Sequence, residues 1–157
     1  MSQIPSHSGI PPPAAAGWVI VCERTGQWAA ALRRELTTAG VHLAETRSLK
    51  EAWESLATAP ASMLIIELTA GNVDSLLRRM AWLARDFPRA RLAIVASRRL
   101  SEYQWLLREA GAVHFLCSPR RIGSLAELAM RHMAAVPMPQ QTLVERIWDS
   151  LPWAGRQ

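Results

Sequence analysis

Apolar residues in this chain gather into short runs, and between the runs they recur every three or four positions. Trp18–Cys22, Ala61–Leu68, Leu92–Ala96 and Val113–Cys117 are almost continuously apolar, and Val41–Thr46 alternates. Continuous runs of this length read as strands buried on both faces, as in a parallel sheet. The intervening stretches read as amphipathic helices. The first is expected over Gln27–Ala39, with Trp28, Ala31, Leu32, Leu36 and Ala39 on one face and Gly40 as its stop. The second carries Leu49, Ala52, Trp53 and Leu56, and Pro60 ends it. The third, capped by Asn72 or Asp74, carries Leu76, Leu77, Met80, Leu83 and Phe87 up to Pro88.

Serine followed three residues later by Glu or Gln marks a helix start, because the two side chains satisfy orphan backbone amides reciprocally. Ser48/Glu51, Ser101/Gln104 and Ser124/Glu127 fit this pattern ahead of the second, fourth and fifth helices. The fourth helix ends at Gly111, and Pro119 follows the last strand. Strand and helix therefore alternate five times between Trp18 and about Ala135. That alternation predicts an α/β fold of three layers: a doubly wound, five-stranded parallel sheet with helices on both faces and right-handed crossovers. Residues 1–17 are rich in Pro, Ser and Ala and are expected to be a tail without a core. The folded domain is expected over 18–136. Residues 137–157 are expected to be a Pro137/Pro139 linker and a short amphipathic helix, Thr142 to Leu151, with Leu143, Ile147, Trp148 and Leu151 as its stripe.

Composition narrows the class. Of 157 residues, 50% are hydrophobic and 20% charged, which supports a packed core rather than disorder. No apolar run is long enough to span a membrane, and no secretory signal is read at the N-terminus, so a cytoplasmic location is expected. Cys22 and Cys117 fall inside strand runs and read as buried free thiols. The net charge is +5, and every basic residue except Lys50 is an arginine. The basic residues are spread over several helices and no helix-turn-helix fits after Ala135, so a nucleic-acid-associated regulator stands only as an alternative. Trp28, Trp53 and Trp82 occupy helical positions and are expected in or against the core. Trp105, Trp148 and Trp153 are expected to be partly exposed.

One acid ends the central run. Glu67 stands at the carboxyl end of the Ala61–Leu68 strand, where open α/β sheets place their chemistry. Glu67 is expected to pair with an arginine, and Glu23 is expected to be a solvated loop acid. Arg98, Arg99, Arg120 and Arg121 follow the fourth and fifth strands and form a candidate anion rim, or simply the counter-charges of Glu23 and Glu67. His42, His114 and His132 are scattered. No catalytic triad, phosphate-cradling glycine loop, metal motif or cofactor fingerprint is present, so no cofactor, no metal and no enzymatic activity are expected.

With these residues in place, the chain resembles a response-regulator receiver domain of the chemotaxis type, the flavodoxin-like module of two-component signalling. The likeness spans about Trp18 to Ala135. Its most specific phrase is Ala110 to Pro119, with Gly111, Ala112, Phe115 and Pro119 at the family's Gly-Ala, aromatic and Pro positions. The resemblance implies the strand order 2-1-3-4-5. It places Glu67 at the phosphoacceptor position, Cys22 and Glu23 at the metal-binding acidic pair, Ala96 at the switch hydroxyl with Ser97 beside it, Ser118 at the lysine and Phe115 at the aromatic switch.

The departures fall on the chemistry. Acyl phosphorylation needs an in-line carboxylate, a divalent ion and positive charge on the phosphoryl oxygens. Glu67 is one methylene longer than aspartate, Cys22 is a poor ligand for a hard cation, and Ala96 and Ser118 lack the hydroxyl and the ammonium. A degenerate receiver that signals by protein contact without phosphorylation is therefore expected. The alternative is an atypical, active receiver phosphorylated in the Glu67 crevice. The resemblance puts partner or homodimer contacts on the face of the fourth helix, fifth strand and fifth helix, where Tyr103, Trp105 and Arg108 lie. The C-terminal stripe, with Ile147, Trp148 and Leu151, is the second expected contact.

Overall fold

The four apolar runs and the alternating one become the strands of a single parallel sheet in a computed structural model that describes residues 17–136. The strands are β1 (Val19–Cys22), β2 (Leu43–Thr46), β3 (Met63–Leu68), β4 (Arg91–Ala96) and β5 (His114–Leu116). Their order is β2-β1-β3-β4-β5, with every neighbouring pair parallel. This is the flavodoxin-like order that the receiver resemblance implies. The helices are α1 (Gln27–Leu36), α2 (Leu49–Thr58), α3 (Val73–Asp86), α4 (Gln104–Glu109) and α5 (Ile122–Ala135). The Pro-rich tail and the C-terminal segment with Ile147, Trp148 and Leu151 lie outside the described residues.

The sheet is covered on both sides because side chains alternate along each strand. Ile20, Leu64, Ile66, Leu92 and Ile94 point to the side of α2, α3 and α4, where Leu56, Leu76 and Leu107 meet them. Val19, Val21, Met63, Ile65, Ala93 and Val95 point to the side of α1 and α5, against Trp28, Leu32 and Leu125. In β3 every residue but Glu67 is buried, which is why that strand reads as apolar without alternation. Each fully buried Ile or Leu side chain contributes about 1.5–3 kcal/mol of transfer free energy, so this central strand anchors both cores.

Several local expectations are corrected. Helix α1 stops at Leu36, and residues from Thr37 to Gly40 are turn, so Ala39 is exposed. Of the three serine boxes only the first forms. The Glu51 amide donates to Ser48 Oγ at 3.2 Å, and Glu51 Oε2 accepts the Arg47 amide at 2.9 Å. Around Ser101 the chain has already entered a 3-10 turn at Arg98–Tyr103, which leaves α4 only six residues. Ahead of Ser124 a 3-10 turn over Pro119–Arg121 starts the coil early, and Ser124 instead donates to the Arg121 carbonyl at 3.1 Å. Trp82 is 55% exposed rather than packed in the core. Cys22 is buried and Cys117 half-buried, both as free thiols.

Candidate functional site

The carboxyl ends of β1, β2 and β3 open onto a cavity of about 290 Å³, lined among others by Cys22, Glu23, Arg24, Arg47, Glu67 and Asn72. This is the crevice position expected of an open α/β sheet. Its floor is set by the strand register. Cys22 lies opposite Thr46 on one side and Ile66 on the other, so Glu23 and Glu67 follow side by side where the β1–β3 pairing ends.

Glu23 is 2% exposed, and it is not the solvated loop acid that its position suggests. Its Oε1 accepts the Ala29 amide at 2.6 Å and its Oε2 accepts the Trp28 amide at 3.0 Å. The reason is local. Helix α1 begins after Gly26, whose φ of 84° turns the chain sharply and supplies no side-chain cap. Two first-turn amides would be left without partners, and the Glu23 carboxylate reaches forward to take both. The Glu23 carbonyl in turn accepts Arg47 Nη1 at 3.1 Å.

Glu67 is not paired with an arginine among the described residues. Its Oε2 accepts the backbone amide of Arg24 at 2.9 Å, which draws the β1–α1 loop over the end of β3. The backbone on the other side is fixed by Asn72. That side chain donates to the Glu67 carbonyl at 2.8 Å and accepts the Thr69 amide at 2.9 Å. Asn72 thus stands at the cap position of α3 but makes no cap bond to the helix. It clamps the β3–α3 loop that follows the candidate acid.

At Cys22, burial pushes the thiol pKa up, and the carboxylates of Glu51 and Glu67 act in the same direction. The Thr46 hydrogen bond and the Arg47 guanidinium oppose this without cancelling it. A protonated thiol beside a carboxylate whose two oxygens hold backbone amides does not fit magnesium, which takes hard oxygen ligands in near-octahedral order. Among the described residues no three His, Cys, Asp or Glu side chains stand together to hold a metal.

The other residues that the resemblance singles out are spread around this centre. Ala96 pairs with Leu68 across the β3–β4 ladder, and its methyl is buried in the core, with Ser97 exposed next to it. Ser118 is half-buried, and Phe115 packs into the core on the α2–α4 side. Arg98, Arg99, Arg120 and Arg121 belong to the two 3-10 turns, and none of the four lines the cavity or pairs with Glu23 or Glu67. The arginines that do line it are Arg24 and Arg47, together with Thr69 and Asn72. Their only sequence signal is adjacency to the ends of β1, β2 and β3. The three histidines among the described residues make structural contacts. His42 meets Trp18 edge-on at 5.0 Å, and His132 Nε2 lies 2.8 Å from the Ala61 carbonyl. His114 Nε2 lies 3.3 Å from Ser124 Oγ.

No protein-family model and no curated protein matches the sequence. Solved structures do match by shape. A response regulator from Thermotoga maritima is 17% identical, with 76% of this chain and 99% of that one covered at a TM-score of 0.63. A CheY-like protein from Pseudomonas aeruginosa PAO1 is 20% identical, covering 74% and 98% at a TM-score of 0.60. An orphan response regulator of H. pylori is 15% identical, covering 77% and 99% at a TM-score of 0.58. The fold is that of response-regulator receiver domains.

Proposed function

We propose that residues 18–136 form a receiver-like signalling module that works through protein contacts and carries no acyl phosphate. The observation that carries this reading is the engagement of Glu23. The one carboxylate left of the acidic pair is buried and holds two amides of α1, so releasing it to a metal ion would uncap that helix. The absence of a hydroxyl at Ala96 and of a cation at Ser118 supports the same conclusion. A domain of this fold without that chemistry still has surfaces to offer. Trp105 is 72% exposed, Leu106, Val113, Arg108, Arg120 and Arg121 are exposed too, and the charges of Arg108 and Arg121 both reach His114 of β5. Aromatic and arginine side chains together are the composition that interfaces favour. We assign the protein or homodimer contact to this α4–β5–α5 face, with Tyr103 at its edge, and the C-terminal stripe of Ile147, Trp148 and Leu151 as a second contact. No helix among the described residues is long and apolar enough to cross a membrane.

A magnesium titration followed by backbone amide shifts tests the reading. No saturable shift at Glu23, Arg24 or Glu67 is expected at low-millimolar metal. Saturation there would restore an active receiver phosphorylated in the Glu67 crevice.

A further inference from the structure

Trp82 lies on the outer face of α3, on the side away from Leu76, Met80 and Leu83, which the helix buries. A tryptophan more than half exposed adds little to the fold it sits on, and here it is not left bare. The Arg85 guanidinium stacks over its ring at 4.2 Å from the centroid, and Asp86 Oδ1 accepts Arg85 Nε at 2.9 Å. The ring and its cation are therefore held in place together. Arg78, one turn before Trp82, is exposed and meets no carboxylate among the described residues, and the same is true of Arg89 just beyond the helix.

We propose that this stripe docks an acidic segment of a partner protein, with an apolar side chain on Trp82 between carboxylates held by Arg78 and Arg85. The inference concerns other residues than the α4–β5–α5 face and does not depend on it. Arg78 and Arg85 are about 10 Å apart along the helix at 1.5 Å per residue. Two acids three positions apart on an extended chain span the same distance. A nucleic-acid strand fits less well. Asp74 and Asp86 bracket Arg78, Trp82 and Arg85 about 18 Å apart, and a backbone carrying charge along its whole length would run past both. A short acidic segment sits between them.

The test is fluorescence anisotropy with a labelled peptide of repeating Glu-Leu-Leu, titrated with the full chain. Saturable binding is expected, weakened about tenfold by Trp82→Ala and by Arg85→Glu, and unchanged by Trp105→Ala. The Arg85 side chain is 68% exposed, so Arg85→Glu keeps the result independent of any packing that Trp82 supplies. Absence of saturable binding, or equal binding by both α3 variants, overturns the proposal. So does tighter binding of a labelled oligothymidylate that the same substitutions weaken, which would make this face a nucleic-acid surface. Loss of peptide binding in Trp105→Ala alone would move the acidic partner to the α4–β5–α5 face.

Discussion

The Glu23 carboxylate accepts the Ala29 amide at 2.6 Å, six residues ahead of it and across the turn at Gly26. This acid, at the carboxyl end of β1, thus acts as the cap of α1.

Removing that cap should cost stability. Glu23→Ala leaves the buried amides of Trp28 and Ala29 without an acceptor, and a loss of about 2 kcal/mol is expected. It reads out as a lower denaturation midpoint at unchanged slope. Glu67→Ala, which frees a single amide on an exposed loop, should cost clearly less. Equal losses for the two would mean that Glu23 is not the helix cap.

His114 should make stability fall in mild acid. Burial holds its imidazole below the ordinary value of 6.5, and the charges of Arg108 and Arg121 add to this. The folded state therefore favours the neutral ring, while the unfolded chain takes up a proton near the ordinary value. Stability is full above that value and declines as pH falls through it toward the lower folded pKa. Denaturation midpoints measured between about pH 7 and pH 5 should fall more steeply for wild type than for His114→Gln. Parallel curves would show that His114 does not titrate differently on folding.

Cys22 should resist alkylation. Burial raises the pKa of both cysteines, and the thiolate is the reactive form, but the Cys22 residue is only 6% exposed. Iodoacetamide at mildly alkaline pH should modify Cys117, which is half-buried, well before Cys22. Peptide mapping gives the order, and rapid labelling of Cys22 would contradict the burial assigned to it.

The sheet is legible in the sequence because strands buried on both faces leave an unbroken apolar signature. Ile20 to Cys22 and Leu64 to Ile66 show it directly. Helix faces are legible for the same reason, through Leu76, Met80 and Leu83. Trp82 is misread when its chemistry is given more weight than its position, since it lies roughly opposite Met80 on the helical wheel. The Ser48 box forms because the chain arrives there extended, at φ −137° and ψ 155°. The boxes at Ser101 and Ser124 fail because both serines already lie in or beyond a 3-10 turn, and no residue pattern separates these cases. The site is less legible than the fold. Glu23 and Asn72 act through contacts that depend on where loops turn, and the arginines at the cavity are set by loop ends rather than by doubled Arg-Arg pairs. A helix that starts at Gln27 behind a glycine, with no side-chain cap of its own, is the one signal that points to Glu23.

The most direct measurement is the intact mass of the protein after incubation with acetyl phosphate and magnesium. The account predicts an unchanged mass, for wild type and for Glu67→Ala alike. A stoichiometric gain of one phosphoryl group that disappears in Glu67→Ala would contradict it and make the Glu67 crevice a working phosphoacceptor site.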